Sequence, residues 1–186
     1  MVKYLFINSV AGYGSTGKLI ERTARSLMAE GNQCTIAYGR ILSGCDGIHL
    51  YRIGGKLNNY THALRSRLLD QEGFGSVMAT KKLLKWMDSY TPDVVWLHNL
   101  HGYYINIELL FAYLKIHPEI QVKITLHDCW LMTGHCPHFM RIGCDQWKTR
   151  CKDCVLTKEY PKCIGLPNVK RNHERKEAAL TGLPNA

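Results

Sequence analysis

Three polar stretches contain residue types that hold anions or move protons, and each follows an apolar run that predicts a buried strand. Their candidate site residues are Gly14, Ser15, Thr16 and Gly17; His98, Asn99 and His101; and His127 and Asp128. A glycine turn that opens a helix exposes unpaired N–H groups, which bind phosphate. Histidine donates or accepts a proton near neutral pH. Because parallel strands end at one edge of a sheet, we expect these stretches to share a site there.

The glycine turn is compatible with more than one ligand. Its G-x-G-x-x-G spacing, from Gly12 to Gly17, fits the dinucleotide fingerprint, but the predicted second strand ends at Arg40 rather than at an acidic residue that would hold a ribose. A Walker-type loop would need a hydroxyl side chain where Leu19 stands. A tight turn that only packs the helix on the strand is the structural alternative. We favour anion binding at this turn.

Six of the eight cysteines fall within residues 129–163, the cysteine-rich segment. The candidate zinc ligands are Cys136, Cys144, Cys151 and Cys154, with His135 and His138 as spare candidates. The C-x-x-C pair among them has the spacing with which two thiolates bind one tetrahedral metal. Four protein ligands would make the zinc structural, and it would stabilise the loop that carries His127. Unreactive core thiols and a redox pair are the alternatives.

The elements that must position these residues alternate between strand and helix. Strands are predicted at 4–7, 34–38, 93–97 and 122–126, and helices near 57–69, 77–90, 106–115 and 170–180, with Ser76 capping the second of these. The strands are almost continuously apolar, as in a parallel sheet covered on both faces. We therefore predict an α/β fold: a Rossmann-like parallel sheet flanked by helices, with the cysteine-rich segment as a zinc-binding loop insertion.

The composition limits the class of partner. The net charge of +9 favours anionic partners, but the basic residues are spread along the chain without an aromatic-basic ribonucleoprotein motif, so we expect no nucleic acid. Phosphorylated small molecules and an anionic membrane surface are the other two partners that fit this charge. No apolar run approaches a membrane span, and Met1 leads directly into a strand without a signal-peptide pattern. We expect a cytoplasmic protein.

Several of these motifs together resemble a known family. They are Gly14-Ser15-Thr16-Gly17, Asp70 to Gly75 with Ala79-Thr80-Lys81, Pro92 to Asn106, Thr125 to Trp130, Thr133 to Cys136, Gly143-Cys144, Trp147-Lys148, Cys151-x-x-Cys154 and Glu159-Tyr160-Pro161. The chain resembles, over nearly its whole length, retaining GT-B glycosyltransferases. It is most similar to the family-4 members that assemble capsular and colanic-type polysaccharides.

The resemblance implies a sugar transfer from a nucleotide sugar to a glycan or lipid-linked acceptor, with no catalytic metal. It implies that Gly14 to Gly17 approach the donor pyrophosphate, that His98, Asn99 and His101 line the acceptor side, and that His127 lies near the transferred sugar. His127 and Asp128 are the catalytic candidates. A departing nucleoside diphosphate builds negative charge, which oriented N–H groups stabilise. His127 could supply a hydrogen bond or a proton relay.

The resemblance also implies a division of the chain. Residues 1–165, with the segment 129–163, correspond to the acceptor-side domain, and residues 166–186 to a helix that leads toward a second, nucleotide-sugar domain that the sequence does not contain. We expect the chain alone to fold but to transfer sugar poorly or not at all. The alternatives are a non-catalytic remnant or binding module, a nicotinamide-dependent oxidoreductase, and a metal-dependent hydrolase that uses His98, His101 and His127.

Overall fold

The computed structural model describes residues 1–184 of the chain, so the last two residues of the expected 166–186 segment, Asn185 and Ala186, lie outside the described residues. The elements are β1 (Lys3–Ala11), α1 (Gly14–Ala29), β2 (Gln33–Leu42), β3 (His49–Arg52), α2 (Lys56–Leu69), α3 (Val77–Tyr90), β4 (Val94–Leu97), α4 (Ile107–Ile116), β5 (Gln121–Ile124) and α5 (Val169–Leu180). Three short 3-10 turns lie within the cysteine-rich segment: Trp130–Met132, Phe139–Ile142 and Gln146–Lys148.

The five strands form one parallel sheet in the order β3-β2-β1-β4-β5. All four strand pairs are parallel, and in the centre Leu5 of β1 aligns with Thr35 of β2 on one side and Val95 of β4 on the other. Parallel neighbours need a crossover, which helices supply. The expected α/β, Rossmann-like sheet flanked by helices is confirmed.

Each face of the sheet has its own apolar core. Successive side chains of a strand point to opposite faces, so Leu5 and Ile7 pack with α3 and α4 while Phe6 packs with α1 on the other side. All three side chains are fully buried. This two-sided burial explains why the strands are almost continuously apolar in sequence.

Some predicted boundaries are wrong. β1 and β2 are longer than predicted, and β5 ends at Ile124, so that Thr125 already lies in the loop. Thr125 still donates its N–H to the carbonyl of Leu97 at 2.9 Å, which is the last bond of the ladder. Ser76 precedes α3 but makes no side-chain cap, because its hydroxyl instead contacts Asn58 at 3.0 Å and His62 at 2.8 Å.

Asp70 joins three parts of the chain at the end of α2. Its carboxylate accepts hydrogen bonds from His135 at 2.6 Å and from the N–H of Asn168 at 3.1 Å, and its carbonyl accepts one from Asn172. Lys176 of α5 is also buried and donates to the carbonyls of Trp130 and Thr133 at 2.7 and 3.0 Å. The cysteine-rich segment and α5 are therefore held against the sheet domain by buried polar groups.

Within residues 1–184, no helix is long and apolar enough to cross a bilayer.

Candidate functional site

The loops that follow β1, β4 and β5 lie at the same edge of the sheet, since all five strands are parallel and these three are neighbours. The side chain of Asn8, near the end of β1, accepts a hydrogen bond from the N–H of Asn99 at 3.1 Å. This contact ties the loop after β4 to the central strand. A shallow cleft between the loops after β4 and β5 is lined by His98, Asn99 and His101 together with His127 and Asp128.

The side chains of His98 and His127 are joined by a direct hydrogen bond. The Nδ1 atom of His98 lies 2.9 Å from the Nε2 atom of His127, and the two rings stack with centroids 5.2 Å apart. His98 continues the β4 ladder through its N–H, is buried, and packs beside the rings of Phe6 and Trp96, whose centroids are 6.0 and 5.8 Å from its own. Its Nε2 atom is buried without a hydrogen-bond partner in the part of the chain that the structure describes.

The burial of this pair keeps both rings neutral near pH 7. Burial, together with the neighbouring His127, lowers the pKa of His98 to about 3. Burial also lowers the pKa of His127, although the charge of Asp128 opposes this. One neutral ring must donate to the other, so the tautomer of His98 decides whether the Nδ1 atom of His127 carries a proton. Among residues 1–184, no hydrogen bond engages that Nδ1 atom, which is therefore available to a ligand.

His101 links Asp128 to the cysteine-rich segment. Its Nε2 atom lies 2.7 Å from a carboxylate oxygen of Asp128, and its Nδ1 atom lies 2.8 Å from the hydroxyl of Tyr160. Burial opposes ionisation of Asp128, but the hydrogen bond and charge of His101 and the N–H of Trp130 hold the pKa of its carboxyl below the usual value. Since a carboxylate only accepts, His101 donates through Nε2.

Glu72 positions the loop after β4, and the sequence reasoning did not identify it. One oxygen of its buried carboxylate accepts hydrogen bonds from the N–H groups of Gly102 and Tyr103 at 2.8 and 3.0 Å. The other oxygen is buried and has no hydrogen-bond partner among residues 1–184. The sequence feature that could have identified Glu72 is its acidic side chain within the glycine-bearing stretch Asp70 to Gly75.

The glycine turn lies at the same edge but is not bonded to the histidines. α1 begins at Gly14 without a side-chain cap or an acidic residue in its first turn, so its first N–H groups are free to meet an anion. Ser15 is exposed, Thr16 is half-buried, and Gly17 is buried against Val10. Within the described chain, no hydrogen bond joins Gly14, Ser15, Thr16 or Gly17 to the residues of the cleft.

The four predicted zinc ligands line one cavity, but they are not in a ligand geometry. Cys136, Cys144, Cys151 and Cys154 all face the same cavity of about 120 Å³. Among residues 1–184, however, no three His, Cys, Asp or Glu side chains stand so that they could hold a metal ion. The eight cysteines are all free thiols. The expected zinc-binding insertion is therefore not supported by the geometry as it stands.

A larger cavity lies at the opposite edge of the sheet. It has a volume of about 400 Å³ and is lined by Pro92, Asp93, His117 and Glu119, which precede β4 and β5. We place the candidate site at the smaller cleft because ligands of parallel sheets bind where the strands end, and because the bonded histidines lie there.

Comparison with known proteins gives a partial match. Over 74 residues the chain is 36% identical to the putative colanic acid biosynthesis glycosyl transferase WcaC of Escherichia coli (strain K12). The match covers 38% of this chain and 18% of that relative, so the chain spans well under two thirds of the relative's length. No protein-family model matches the chain. The match supports a relationship to glycosyl transferases.

Proposed function

We propose that the chain is the acceptor-binding half of a retaining glycosyltransferase that moves a sugar from a nucleotide sugar to a glycan or lipid-linked acceptor. The observation that carries the proposal is the 36% identity over 74 residues to a protein described as a colanic acid glycosyl transferase. The parallel sheet, with a polar cleft at its carboxyl edge, is compatible with this function.

The residues have distinct roles in this proposal. In the transfer, the bond between the sugar's anomeric carbon and the diphosphate breaks, a bond to an acceptor hydroxyl oxygen forms, and the proton of that hydroxyl leaves with the departing diphosphate. The first N–H groups of α1, from Gly14 to Gly17, face the developing charge on the diphosphate. The Nδ1 atom of His127, on the far side of the ring from the bond to His98, hydrogen-bonds the transferred sugar or the acceptor, and His98 sets its tautomer. The proposed chemistry needs no catalytic metal.

Asp128, His101 and Asn99 line the acceptor side of the same cleft. The carboxylate of Asp128 keeps His101 in one tautomer, and the amide side chain of Asn99 is half-buried at the cleft. Most of the donor-binding groups belong to a second domain, so the chain alone binds an acceptor but turns over nucleotide sugars poorly or not at all.

A peripheral contact with an anionic membrane belongs to the same proposal. The outward side of α2 carries exposed apolar residues, and two more lie beside its end because Ile164 and Leu166 bond to the carbonyls of Arg67 and Leu68. The α2 surface consists of Leu57, Tyr60, Leu64, Leu68, Ile164 and Leu166. α2 carries Lys56, Arg65 and Arg67 but no acidic residue. Apolar residues flanked by cations suit an anionic lipid surface.

Ligand-observed NMR tests the proposed function. The chain, its His127→Ala variant and its His117→Ala variant are each mixed with polyprenyl-diphosphate-linked saccharides in detergent. The parent should transfer saturation to the saccharide signals. The His117 variant should do so equally, because His117 lies at the opposite edge of the sheet. The His127 variant should bind about tenfold more weakly, which corresponds to one lost hydrogen bond.

Four results would contradict parts of the proposal. No saccharide binding by the parent chain, or equal binding by the His127 variant, would remove the acceptor site. Binding of a reduced nicotinamide dinucleotide at the glycine turn would favour an oxidoreductase. Efficient turnover of a nucleotide sugar by the 186-residue chain would show that no second domain is needed.

A further inference from the structure

The cavity in the cysteine-rich segment gathers soft metal-binding groups. Cys136, Cys144, Cys151 and Cys154 line it together with His135, and the rest of its wall is largely apolar. Cys136 and Cys151 are buried, as is His135, which is only 2% exposed. These residues come from three separate stretches of the segment, so the fold rather than local sequence brings them together.

Three of the thiols are linked by contact or by spacing. The thiol of Cys136 donates a hydrogen bond to Cys154. Cys151 and Cys154 form the C-x-x-C pair, and Cys144 lines the same cavity from a separate stretch. The inner group of thiols is therefore Cys136, Cys151 and Cys154, with Cys144 at its side.

His135 provides the independent observation. Its Nδ1 atom lies 2.6 Å from a carboxylate oxygen of Asp70, which can only accept, so Nδ1 carries the proton. With one proton on the ring, the Nε2 atom presents a lone pair. This atom is buried and unpartnered among residues 1–184, and the ring lines the cavity. A carboxylate that fixes one imidazole nitrogen while the other binds a metal is a common arrangement at zinc sites.

We propose that this cavity binds one zinc ion through the thiolates of Cys136, Cys151 and Cys154, with either Cys144 or the Nε2 atom of His135 as the fourth ligand. Zinc favours such tetrahedral sulfur and nitrogen sites. The side chains do not hold a metal as they stand, so binding must draw them inward, with release of the thiol protons. The proposal is independent of the proposed sugar transfer.

The site would be structural, and it lies within a segment that contacts the cleft. Tyr160 of this segment bonds to His101, and Asp70 connects His135 to the end of α2 and to Asn168. Zinc would therefore fix the segment that bears Tyr160.

Metal content and thermal unfolding of the 186-residue chain test the proposal. The chain is reduced, incubated with zinc, freed of excess metal and assayed by mass spectrometry. We expect one zinc per chain for the parent and for Cys163→Ala, since Cys163 is buried in the same segment but does not line the cavity. Cys151→Ala should lose the zinc and unfold at a lower temperature. Chelation should lower the unfolding temperature of the parent but not that of Cys151→Ala.

Two further variants assign the fourth ligand. If Cys144→Ala loses zinc and His135→Gln keeps it, the site is all thiolate, and the converse result assigns His135. If Cys151→Ala does not fold, zinc titration into the metal-free parent gives a second measurement. No zinc uptake by the reduced parent, equal loss in Cys163→Ala, or a disulfide between Cys136 and Cys154 in the freshly isolated chain would overturn the proposal.

Discussion

The Nδ1 atom of His98 lies 2.9 Å from the Nε2 atom of His127, and this bond joins the loops that follow two neighbouring strands. Burial leaves His98 unable to take up a proton until the pH approaches 3, because its pKa is lowered to about that value. The pair is therefore neutral under ordinary conditions, and its contribution to stability depends on pH.

His98→Gln should weaken the pH dependence of unfolding. Between pH 3 and pH 6.5 the unfolded chain carries a proton on His98 that the folded chain does not, so this stabilisation is present above pH 6.5 and is lost as the pH falls toward 3. The loss is about 1.4 kcal/mol per pH unit. Urea unfolding from pH 7 to pH 4 gives the free energy of unfolding as a function of pH. The slope of that curve should correspond to the uptake of about one proton fewer in the variant. An unchanged slope, matching that of His117→Gln, would contradict the assignment.

Lys176→Met should remove a rise in stability at alkaline pH. Burial lowers the pKa of Lys176 from 10.5 to about 7. Between those values the unfolded chain holds a proton that the folded chain has released, so the free energy of unfolding increases with pH by up to about 1.4 kcal/mol per unit. Denaturant unfolding from pH 7 to pH 10 measures this increase. Lys170→Met, an exposed change on the same helix, should keep it, and its persistence in Lys176→Met would refute the prediction.

Gly12→Ala should destabilise the chain much more than Gly44→Ala. Both glycines have a positive φ, +63° and +61°, but a Cβ on Gly12 would lie 1.7 Å from the carbonyl oxygen of Ser43, whereas one on Gly44 would meet nothing within 4 Å. The left-handed backbone alone costs a side chain about 1–2 kcal/mol. With the clash added, we expect about 3 kcal/mol or more for Gly12→Ala. Equal midpoints of guanidinium unfolding for Gly12→Ala and Gly44→Ala would contradict this, because they would show that the turn can open at little cost.

Leu64→Glu should weaken binding to anionic vesicles if the α2 surface contacts a membrane. Leu64 is 57% exposed in the middle of that surface, and the variant replaces apolar area by a negative charge beside Arg65 and Arg67. We expect the affinity for anionic vesicles, measured by co-sedimentation, to fall by at least about tenfold. Met140→Glu introduces the same charge at another exposed apolar residue and should have little effect. Equal binding of both variants, or of the parent to zwitterionic vesicles, would exclude this surface.

The parallel sheet could be predicted because near-continuous apolar runs alternate with helical patterns, and burial on both faces requires such runs. The grouping of His98, Asn99, His101, His127 and Asp128 followed from their positions after strands. Tyr160 could not be found in this way, because it contacts His101 from a loop 59 residues further along the chain. Loop contacts of this range depend on how the segment packs, which strand and helix periodicity does not encode.

The outcome for the cysteines is intermediate. The four thiols that spacing grouped line one cavity, but no metal geometry is present among residues 1–184. Spacing carries no information on the direction of each Cα–Cβ bond. The hydrogen bond by which Asp70 orients His135 could not be predicted from local sequence either, because the two residues are 65 positions apart.

The bonds of Asp70 have a consequence for how the molecule can be divided. A chain cut after residue 165 would lose the N–H of Asn168, the amide of Asn172 and the ammonium of Lys176. Each lost hydrogen bond contributes about 1 kcal/mol net, and the apolar side chains of the core cluster that packs on Ala179 and Leu180 would be exposed to water. The last helix is thus an integral wall of this unit, and expression trials of the sheet domain should extend through Leu180.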